Sequence, residues 1–270
     1  MSFNGKVAAI TGAGSGIGRA LAIALAERGC SVSIADIDGD GLKQTEVLVA
    51  AHNVGSKVTK LDVKNRDAVE AWADDTVQEF GQVDFVFNNA GVTMFDTVSG
   101  TSYEDFHWVM DINFWGMVYG TKAFMGYFEK ANSGHVINVS SLFGLIAFPG
   151  QSAYNASKFA IRGFTEALAM EMKGTNVQVS SVHPGGIRTD IARNARFKKT
   201  DRGERNRKNA VRKFDATAQT TPEQAAAVIL SGVEAGKRRI LIGADAKIID
   251  FLQRLMPIKY VGLLKRIIKV

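Results

Sequence analysis

The chain has 270 residues, of which 46% are hydrophobic and 22% are charged, and its formal net charge is +6. This composition is typical of a soluble globular protein and excludes a disordered chain, while the length allows one large domain or two small ones. The single cysteine, Cys30, excludes an intramolecular disulfide framework and favours a reducing compartment, so we expect a cytoplasmic protein.

Six short apolar runs in the first two thirds of the chain have the composition of buried strands. They read KVAAIT, CSVSIAD, SKVTKLDV, VDFVFNNAG, GHVINVSS and VQVSSVHP, and a seventh, RRILIG, follows later. Nearly continuous apolar and β-branched residues indicate strands that helices cover on both faces, as in parallel sheets. No basic leader precedes the first run, and no uncharged apolar stretch approaches the ~18 residues of a membrane span. We therefore expect neither a secretory signal nor a transmembrane helix.

Helical patterns alternate with these strands. The pattern after the first strand places apolar residues at i, i+4 and i+8 from Ile17, and we expect this helix to end at Gly29. A later helix is predicted to begin at Asn65 as its N-cap and to end at a glycine. The βα alternation, without a linker or an internal repeat, predicts one α/β domain over residues 1–270 with a Rossmann-like, doubly wound sheet.

Glycines cluster at the turn between the first strand and the first helix. The loop TGAGSGIG runs from Thr11 to Gly18 and fits the pattern TGxxxGxG with Gly12 and Gly16, but not GxGxxG. Glycines at such a turn let the backbone approach a phosphate, and the helix N-terminus favours negative charge. A glycine-rich loop alone also occurs as a flexible turn. Its position between a strand and a helix nevertheless favours a dinucleotide site.

The spacing of this loop resembles the cofactor loop of the classical short-chain dehydrogenases/reductases, and further motifs of that family follow in the same order. They are Asn88-Asn89-Ala90-Gly91, Asn113, Ser141, Tyr154-x-x-x-Lys158, and Pro184-Gly185 with Thr189. Ser141 stands thirteen residues before Tyr154, which is the family's serine-to-tyrosine spacing. The resemblance covers about residues 3–192 and the last strand. It implies a seven-stranded parallel sheet with the strand order 3-2-1-4-5-6-7.

The chemistry that the resemblance implies is hydride transfer between NAD(H) and a secondary alcohol or ketone, by an NAD(P)-dependent short-chain alcohol dehydrogenase or ketone reductase. Tyr154 would then be the acid/base and Ser141 would bind the substrate oxygen. Asn113 would carry a water chain from Lys158 to solvent. Independently of the family, residues four apart share a helix face, so the charge of Lys158 is expected to lower the pKa of the Tyr154 phenol.

The expected cofactor contacts lie along the ends of the strands. Asp36 follows Gly18 by 18 residues, can accept hydrogen bonds from the ribose hydroxyls and would repel a 2′-phosphate. Because the glycine loop contains no basic residue and Ile37 follows Asp36, NAD is favoured over NADP, against the alternative that Asp36 only ends a strand. The other positions that the resemblance assigns to the cofactor are Gly12, Ser15, Gly16, Ile17, Gly18, Asp62, Val63, Asn89, Ala90, Gly91, Tyr154, Lys158, Pro184, Gly185, Ile187 and Thr189. The four histidines show no metal-ligand spacing, so we predict no catalytic metal.

Most of the positive charge lies in two C-terminal segments. Residues 193–214 contain ten Lys or Arg against two acidic residues, and residues 237–270 contain nine against two. The first segment occupies the place of the family's variable substrate loop, at about 190–215. An anionic substrate, a phosphate-bearing carrier, an acidic membrane surface and a solvated lid all remain open for it. Nucleic acid is disfavoured, because only Phe197 and Phe214 offer stacking surfaces.

The C-terminal extension, at about 244–270, departs from the family's usual short tail. Its pattern predicts a helix to about Met256, a break at Pro257 and a second, basic amphipathic segment. The apolar stripe of that second segment would contain Leu264, Ile267 and Ile268, flanked by Lys265, Arg266 and Lys269. Covering a lipophilic substrate, forming a subunit contact and lying on a membrane surface all remain open for the extension.

The extension resembles the tails of family members that act on bulky lipophilic alcohols. We therefore expect a small lipophilic substrate, steroid-like or a long-chain alcohol. The alternatives are a reductase of a carrier-bound ketoacyl substrate and a non-catalytic cofactor-binding or membrane-surface protein. The family also implies a homo-oligomer, either a dimer or a tetramer.

Overall fold

Seven parallel strands form one sheet in the computed structural model, which describes residues 2–197 and 201–262. The strands are β1 (Val7–Thr11), β2 (Ser31–Asp36), β3 (Ser56–Lys60), β4 (Phe85–Asn88), β5 (Gly134–Val139), β6 (Val177–Pro184) and β7 (Arg239–Ile242). Their order is β3-β2-β1-β4-β5-β6-β7, and every neighbouring pair is parallel. The predicted fold and strand order are confirmed. All carboxyl ends of the strands lie at one edge of the sheet, where ligands bind in such folds.

Helices connect the strands and cover both faces of the sheet. They are α1 (Gly16–Ala26), α2 (Gly39–Ala50), α3 (Arg66–Phe80), α4 (Tyr103–Met110), α5 (Gly116–Ala131), α6 (Ser152–Glu171), α7 (Asp201–Thr217), α8 (Pro222–Glu234) and α9 (Ala244–Leu255). A π-helical turn, Asp111–Trp115, joins α4 to α5, and a 3₁₀ turn, Leu142–Gly144, follows β5.

Two apolar cores lie on opposite faces of the sheet. One contains buried residues of α1, α2 and α8, and the other contains buried residues of α3, α5 and α6. Strands β1, β4 and β5 are buried along their whole length. This burial on both faces explains why the sequence shows continuous apolar runs instead of alternating ones.

The predicted helix ends agree with the structure at α3 and differ at α1. The side chain of Asn65 accepts a hydrogen bond from the N–H of Ala68, and Gly81 ends α3 with φ +73°, which confirms both predicted caps. Helix α1 ends at Ala26, earlier than expected. Gly29 instead closes the following turn with φ +75° and donates its N–H to Ala26 O. Here the left-handed glycine lies one turn beyond the helix that it was expected to end.

The basic segment that we expected to be a loop contains helix α7. Helix α7 contains four Arg and two Lys, and both residue types have a high helix propensity. The prediction of a loop is therefore wrong for residues 201–215, which lie in this helix. Residues 190–197 form turns and a bridge to the loop that follows β4.

The C-terminal extension begins as the sequence predicts. Helix α9 ends at Leu255, with Met256 as its C-cap, and a turn starts at Pro257. The predicted second segment, with Leu264, Ile267 and Ile268, lies outside the described residues. Among the helices that are described, none has both the length and the apolar character needed to cross a bilayer.

Candidate active site

The glycine loop leaves no room for side chains at its two tightest positions. Gly12 has φ +69°, and a Cβ atom there would lie 2.8 Å from Asn89 Nδ2. A Cβ atom on Gly18 would lie 2.0 Å from Gly12 O. The first turn of α1 therefore packs directly on the loop, and the helix N-terminus is brought to the carboxyl end of β1. This is the backbone arrangement that accommodates a phosphate group.

Thr11 and Asn89 join the glycine loop to the loop after β4. Thr11 Oγ1 accepts hydrogen bonds from the N–H groups of Asn89, at 3.0 Å, and Ala90, at 3.1 Å. In return, Asn89 Nδ2 donates to Thr11 O at 3.0 Å and to Gly12 O at 3.3 Å. The structure thus brings two predicted motifs together. Sequence reasoning did not single out Thr11, although it opens the TGxxxGxG pattern.

Asp36 lies at the end of β2, beside the glycine loop. Its carboxylate accepts hydrogen bonds from the N–H of Gly14, at 2.8 Å, and of Asp38, at 3.0 Å. Arg19, which sequence reasoning missed, donates to Gly14 O and, at 3.2 Å, to Gly41 O. No sequence pattern identifies this role for Arg19. A carboxylate at this place fits the ribose hydroxyls of a dinucleotide, so the residues present fit an NAD-like group.

The other predicted cofactor residues surround the same crevice. Asp62 follows β3 and accepts the N–H of Lys64 at 3.1 Å. Val63 is buried against Gly116, where a Cβ atom would lie 2.7 Å from Val63 Cγ2. Ser15 is the N-cap of α1, Ile17 lies in its first turn, and Ala90 and Gly91 follow β4.

The loop after β6 closes on the glycine loop from the opposite side. A Cβ atom on Gly16 would lie 3.1 Å from Thr189 Cγ2. The loop begins at Pro184 and Gly185, and a Cβ atom on Gly185 would lie 2.2 Å from an oxygen of Asp245. Asp245 also accepts the N–H of Gly186 at 2.9 Å. Ile187, which is buried, forms a bridge with Thr220 and so fixes the course of this loop. Asp245 had no recognisable signal in the sequence.

Tyr154 and Lys158 lie one turn apart on α6, and both are buried, with 8% and 4% of their surface exposed. The Lys158 ammonium lies 5.6 Å from the centre of the Tyr154 ring and donates to Val139 O at 3.0 Å. Helix α6 carries both side chains to the end of β5, where Ser141 begins the 3₁₀ turn. Three of the four predicted catalytic residues therefore meet at one point.

Adjacent serines have different partners at the end of β5. Ser140 is buried, and its hydroxyl donates to Lys158 O at 2.8 Å. Ser141 Oγ accepts the N–H of Phe143 at 3.1 Å and is hydrogen-bonded to Tyr154. His183 Nδ1 lies 3.0 Å from Ser141 O. The two serines point in opposite directions because side chains alternate along the chain. Ser141 faces Tyr154, whereas Ser140 is hydrogen-bonded to the backbone of α6.

Burial dominates the ionisation of the tyrosine and the lysine. It raises the pKa of Tyr154 to about 12, although the hydrogen bond with Ser141 acts in the opposite direction. It also lowers the pKa of Lys158 to about 7. The sequence-based expectation was a lowered phenol pKa, which is wrong for the protein alone. For each group, desolvation by burial outweighs the attraction that was expected between the ammonium and the phenolate.

Asn113 lies in the π-helical turn, a conformation that is frequent at functional sites. Its Oδ1 accepts the N–H of Val92 at 2.8 Å, and its Nδ2 donates to Val92 O at 2.9 Å and to Ser157 Oγ at 3.0 Å. A Cβ atom on Gly91 would lie 3.3 Å from Asn113 Oδ1 and 3.4 Å from Lys158 Nζ. The Asn113 amide thus lies close to Lys158 and uses its donors and acceptor to position the loop after β4.

Aromatic and aliphatic side chains line the neighbourhood of Tyr154. The Phe143 ring meets the Tyr154 ring edge-on at 6.2 Å and stacks on Phe148 at 5.4 Å. Behind this turn, Ala246 and Tyr260 of the C-terminal extension pack in one apolar cluster with the residues that follow Ser141. The extension therefore forms part of the wall behind the site.

The buried histidines have structural partners. His135 Nε2 lies 2.7 Å from Ser180 Oγ, and burial lowers the pKa of His135 and of His183 to about 4, so both are neutral at pH 7. In the part of the chain that the structure describes, no three His, Cys, Asp or Glu side chains come together as metal ligands.

Comparison with known proteins gives similarity over nearly the whole chain. The short chain dehydrogenase family model matches residues 6–200. The SadH protein of Mycobacterium tuberculosis, which carries the name of an oxidoreductase, is 48% identical over 262 residues, covering 96% of this chain and 94% of that protein. The 3beta-hydroxysteroid dehydrogenase 2 of Eggerthella lenta is 36% identical over 238 residues, covering 86% and 90%.

A solved structure gives the same result. The short chain dehydrogenase/reductase of Burkholderia phymatum, crystallised in complex with NAD, has a TM-score of 0.88 and 29% identity, covering 94% of each chain. Fold, strand order and motif positions agree with the match to the family model. This chain belongs to the short-chain dehydrogenase/reductase family of oxidoreductases.

Proposed function

We propose that this oxidoreductase transfers a hydride between NAD(H) and a secondary alcohol or ketone. The observation that carries the proposal is the meeting of Ser141 and Tyr154, with Lys158 one helical turn away, beside the glycine loop. The Tyr154 hydroxyl would take the alcohol proton in oxidation or give it to the carbonyl in reduction. Ser141 would hold the substrate oxygen, and the nicotinamide, when bound, supplies the hydride chemistry.

Lys158 and Asn113 would support the proton transfer by Tyr154, the first by relaying the proton and the second by positioning the backbone. A lysine with a pKa near 7 can take up or release a proton at the pH where the enzyme works, so Lys158 is suited to pass on the proton that Tyr154 handles. Asn113 would position the neighbouring backbone, since its amide is hydrogen-bonded to Val92 and Ser157. The four residues then act as one unit, with distinct roles.

Two features of this chain and one similar structure support NAD over NADP as the cofactor. The Asp36 carboxylate lies beside the glycine loop, where a 2′-phosphate would be repelled. Ile37, the next residue, is 62% exposed and offers no positive charge. The similar Burkholderia phymatum structure contains NAD.

A lipophilic substrate is supported by the walls of the site. Phe143 and Phe148 lie next to Tyr154, and α9 packs behind them, as expected for a pocket that takes an apolar alcohol such as a sterol or a long-chain alcohol. The similar 3beta-hydroxysteroid dehydrogenase 2 favours the same class. Reduction of a carrier-bound ketoacyl group is the competing reaction, since basic residues of α7 would favour a phosphate-bearing carrier.

Exposed apolar side chains support self-association. Trp115, Phe159 and Met170 are exposed on the π-helical turn and α6, and aromatic residues and Met are enriched at protein interfaces. A homo-oligomer that buries them fits these positions. Its order, dimer or tetramer, is measured by light scattering.

The proposal is tested by following the absorbance of reduced nicotinamide with panels of sterols, long-chain alcohols, their ketones and acyl thioesters. We expect turnover with lipophilic secondary alcohols in the presence of NAD⁺. Tyr154→Phe should lower kcat by about 10³-fold or more while the Kd for NAD⁺ changes little, because only the proton-transferring hydroxyl is removed. Residual turnover near the wild-type rate would show that Tyr154 is not the acid/base.

A further inference from the structure

Three loops at the carboxyl edge of the sheet are joined by a short backbone ladder. The N–H of Arg196, in the loop after β6, donates to Thr93 O at 3.1 Å, and the N–H of Phe95 donates to Arg196 O at 3.1 Å. On the other side of the same segment, the N–H of Asp96 donates to Gly150 O at 2.9 Å. The segment after β4 thus lies between the loops that follow β5 and β6 and is hydrogen-bonded to both.

The side chain of Arg196 contacts two residues of helix α4. Its guanidinium lies 3.0 Å from Asp105 Oδ1 and 3.7 Å from the centre of the Trp108 ring. Asp105 and Trp108 are three residues apart, so they lie on one face of α4 and approach the same group. The other carboxylate oxygen of Asp105 accepts the Ser102 hydroxyl at 3.0 Å, which orients Asp105 in advance.

The ladder continues into the helix that carries Tyr154. Gln151 Nε2 donates to Thr93 Oγ1 at 2.9 Å, and Gln151 is the buried N-cap residue of α6, three positions before Tyr154. On the ladder's other side, the ring of Phe197 stacks on Phe95 at 5.1 Å with an interplanar angle of 11°. The loop after β6 is therefore linked to the start of α6 through the segment that contains Thr93 and Phe95.

We propose that Arg196 is a positioning residue that holds segment 193–197 across segment 93–96 and so fixes the substrate side of the crevice. Asp105 supplies the charge partner, and Trp108 supplies a flat surface that only a planar guanidinium can stack on. The glycine loop and Asp36 lie at the cofactor side and make no contact with Arg196 among the described interactions. Arg196 should therefore act on substrate binding and leave NAD⁺ binding unchanged. The kinetic part of this inference rests on the proposed function.

The structural test is limited proteolysis of the full-length protein with chymotrypsin, scored at the bond after Phe197. Loss of the ion pair and the ring contact in Arg196→Met should raise the cleavage rate about tenfold, because both contacts tie the segment to α4, while its backbone hydrogen bonds and the Phe197–Phe95 contact remain. Trp108→Leu should have a smaller effect, because the ion pair with Asp105 remains, and Arg196→Lys should restore only part of the protection. Arg66→Met is the matched control, since Arg66 lies 3.0 Å from Asp67 on the exposed surface of α3.

The kinetic test uses the best alcohol substrate. In Arg196→Met we expect kcat/KM for the alcohol to fall about tenfold, mainly through KM, with the Kd for NAD⁺ unchanged within about twofold. In a Trp108→Leu background, Arg196→Met should have a smaller effect than in the wild type, because the ring contact is already lost and only the ion pair with Asp105 is removed. Additive effects, or wild-type cleavage after Phe197 in Arg196→Met, would overturn the proposal. If the wild type turned over no substrate, the proposed function would fail, whereas the cleavage assay would still decide the role of Arg196.

Discussion

The Lys158 ammonium lies 5.6 Å from the centre of the Tyr154 ring and donates its hydrogen bond to Val139 O, 3.0 Å away. The two side chains are neighbours on α6, and both are almost completely buried. Burial disfavours the charged form of each, so the pKa of Lys158 is lowered and that of Tyr154 is raised. A buried lysine of this kind reduces the stability of the protein at the pH where it is charged in the unfolded chain.

Replacing Lys158 by methionine should change how stability depends on pH. The pKa of Lys158 is about 7 in the folded protein and 10.5 ordinarily, so between these values the unfolded chain binds more protons than the folded one. The stability of the wild type should therefore rise with pH through this window. Lys158→Met lacks this penalty, and its advantage in free energy of unfolding should shrink by about 3 kcal/mol between pH 7 and pH 10.

Urea denaturation of the cofactor-free protein at several pH values measures this effect. Lys130→Met, at an exposed position in the last turn of α5, is the control and should show a constant difference from the wild type. A pH-independent difference for Lys158→Met would mean that Lys158 titrates near its ordinary value in the folded protein.

Cofactor preference should depend on Asp36 and Ile37. We expect the wild type to prefer NAD⁺ over NADP⁺ by about 100-fold in kcat/KM, or about 2.7 kcal/mol, because the Asp36 carboxylate would repel a 2′-phosphate. In the double variant Asp36→Ser with Ile37→Arg, the carboxylate is removed and a guanidinium is added at an exposed position. The preference should then move toward NADP⁺. Initial rates with both cofactors decide the matter, and a wild type that already prefers NADP⁺ would contradict the assignment.

The sequence predicted most of the fold because its signals are local. Continuous apolar strands, the Asn65 cap and the TGxxxGxG loop each describe a few neighbouring residues, and the structure confirms the strands and that cap. The pairing of Ser141 with Tyr154 was also anticipated: alternation along the chain turns only one of two adjacent serines to a given face, and the family's thirteen-residue spacing selected Ser141.

Other features depend on contacts between distant segments and have no local signal. Burial lowers the pKa of Lys158, and this burial depends on distant parts of the chain such as β5, whose Val139 O accepts a hydrogen bond from Lys158. The contact between Arg196 and Trp108 joins residues 88 positions apart, and the sequence near either residue contains no pattern that predicts it. Helix α7 was missed for a different reason, because this highly charged segment lies at the place of the family's variable loop and was expected to be a loop, although its Arg and Lys residues favour helix.

Gly18 should not tolerate even a methyl group. The Cβ atom of Gly18→Ala would lie 2.0 Å from Gly12 O, so the first turn of α1 would have to move away from the glycine loop. We expect a loss of about 3 kcal/mol in the free energy of unfolding and at least a roughly tenfold weaker binding of NAD⁺. Thermal denaturation and NADH fluorescence titration measure the two effects.

Gly39→Ala is the matched control for that substitution. Gly39 is the first residue of α2, and an added Cβ atom would make only an ordinary contact, at 3.8 Å, with Lys60 Cδ. We expect unchanged NAD⁺ binding and a stability within about 1 kcal/mol of the wild type. Equal effects of the two alanines would show that the close packing of Gly18 on Gly12 has no special importance.

Helix α9 has an exposed apolar stripe that suits an anionic membrane surface. The stripe contains Ile248, Phe251, Leu255 and, just beyond the helix, Ile258, all more than half exposed. Basic residues accompany it, namely Lys247, Arg254 and Lys259. A helix with apolar side chains outward and cations beside them can lie in the interface of a bilayer that contains anionic lipids. We therefore propose peripheral binding of this helix to such membranes.

Co-sedimentation with vesicles of phosphatidylcholine and phosphatidylserine tests the membrane proposal. We expect binding that weakens with added salt, and little binding to phosphatidylcholine alone, since the cations of the helix need an anionic surface. Phe251→Ser and Leu255→Ser should each weaken binding by about tenfold, because each removes a large apolar side chain from the interface. Val47→Ser, at a 71% exposed position on α2, should leave binding unchanged. Equal sedimentation of all variants would mean that α9 does not contact the membrane.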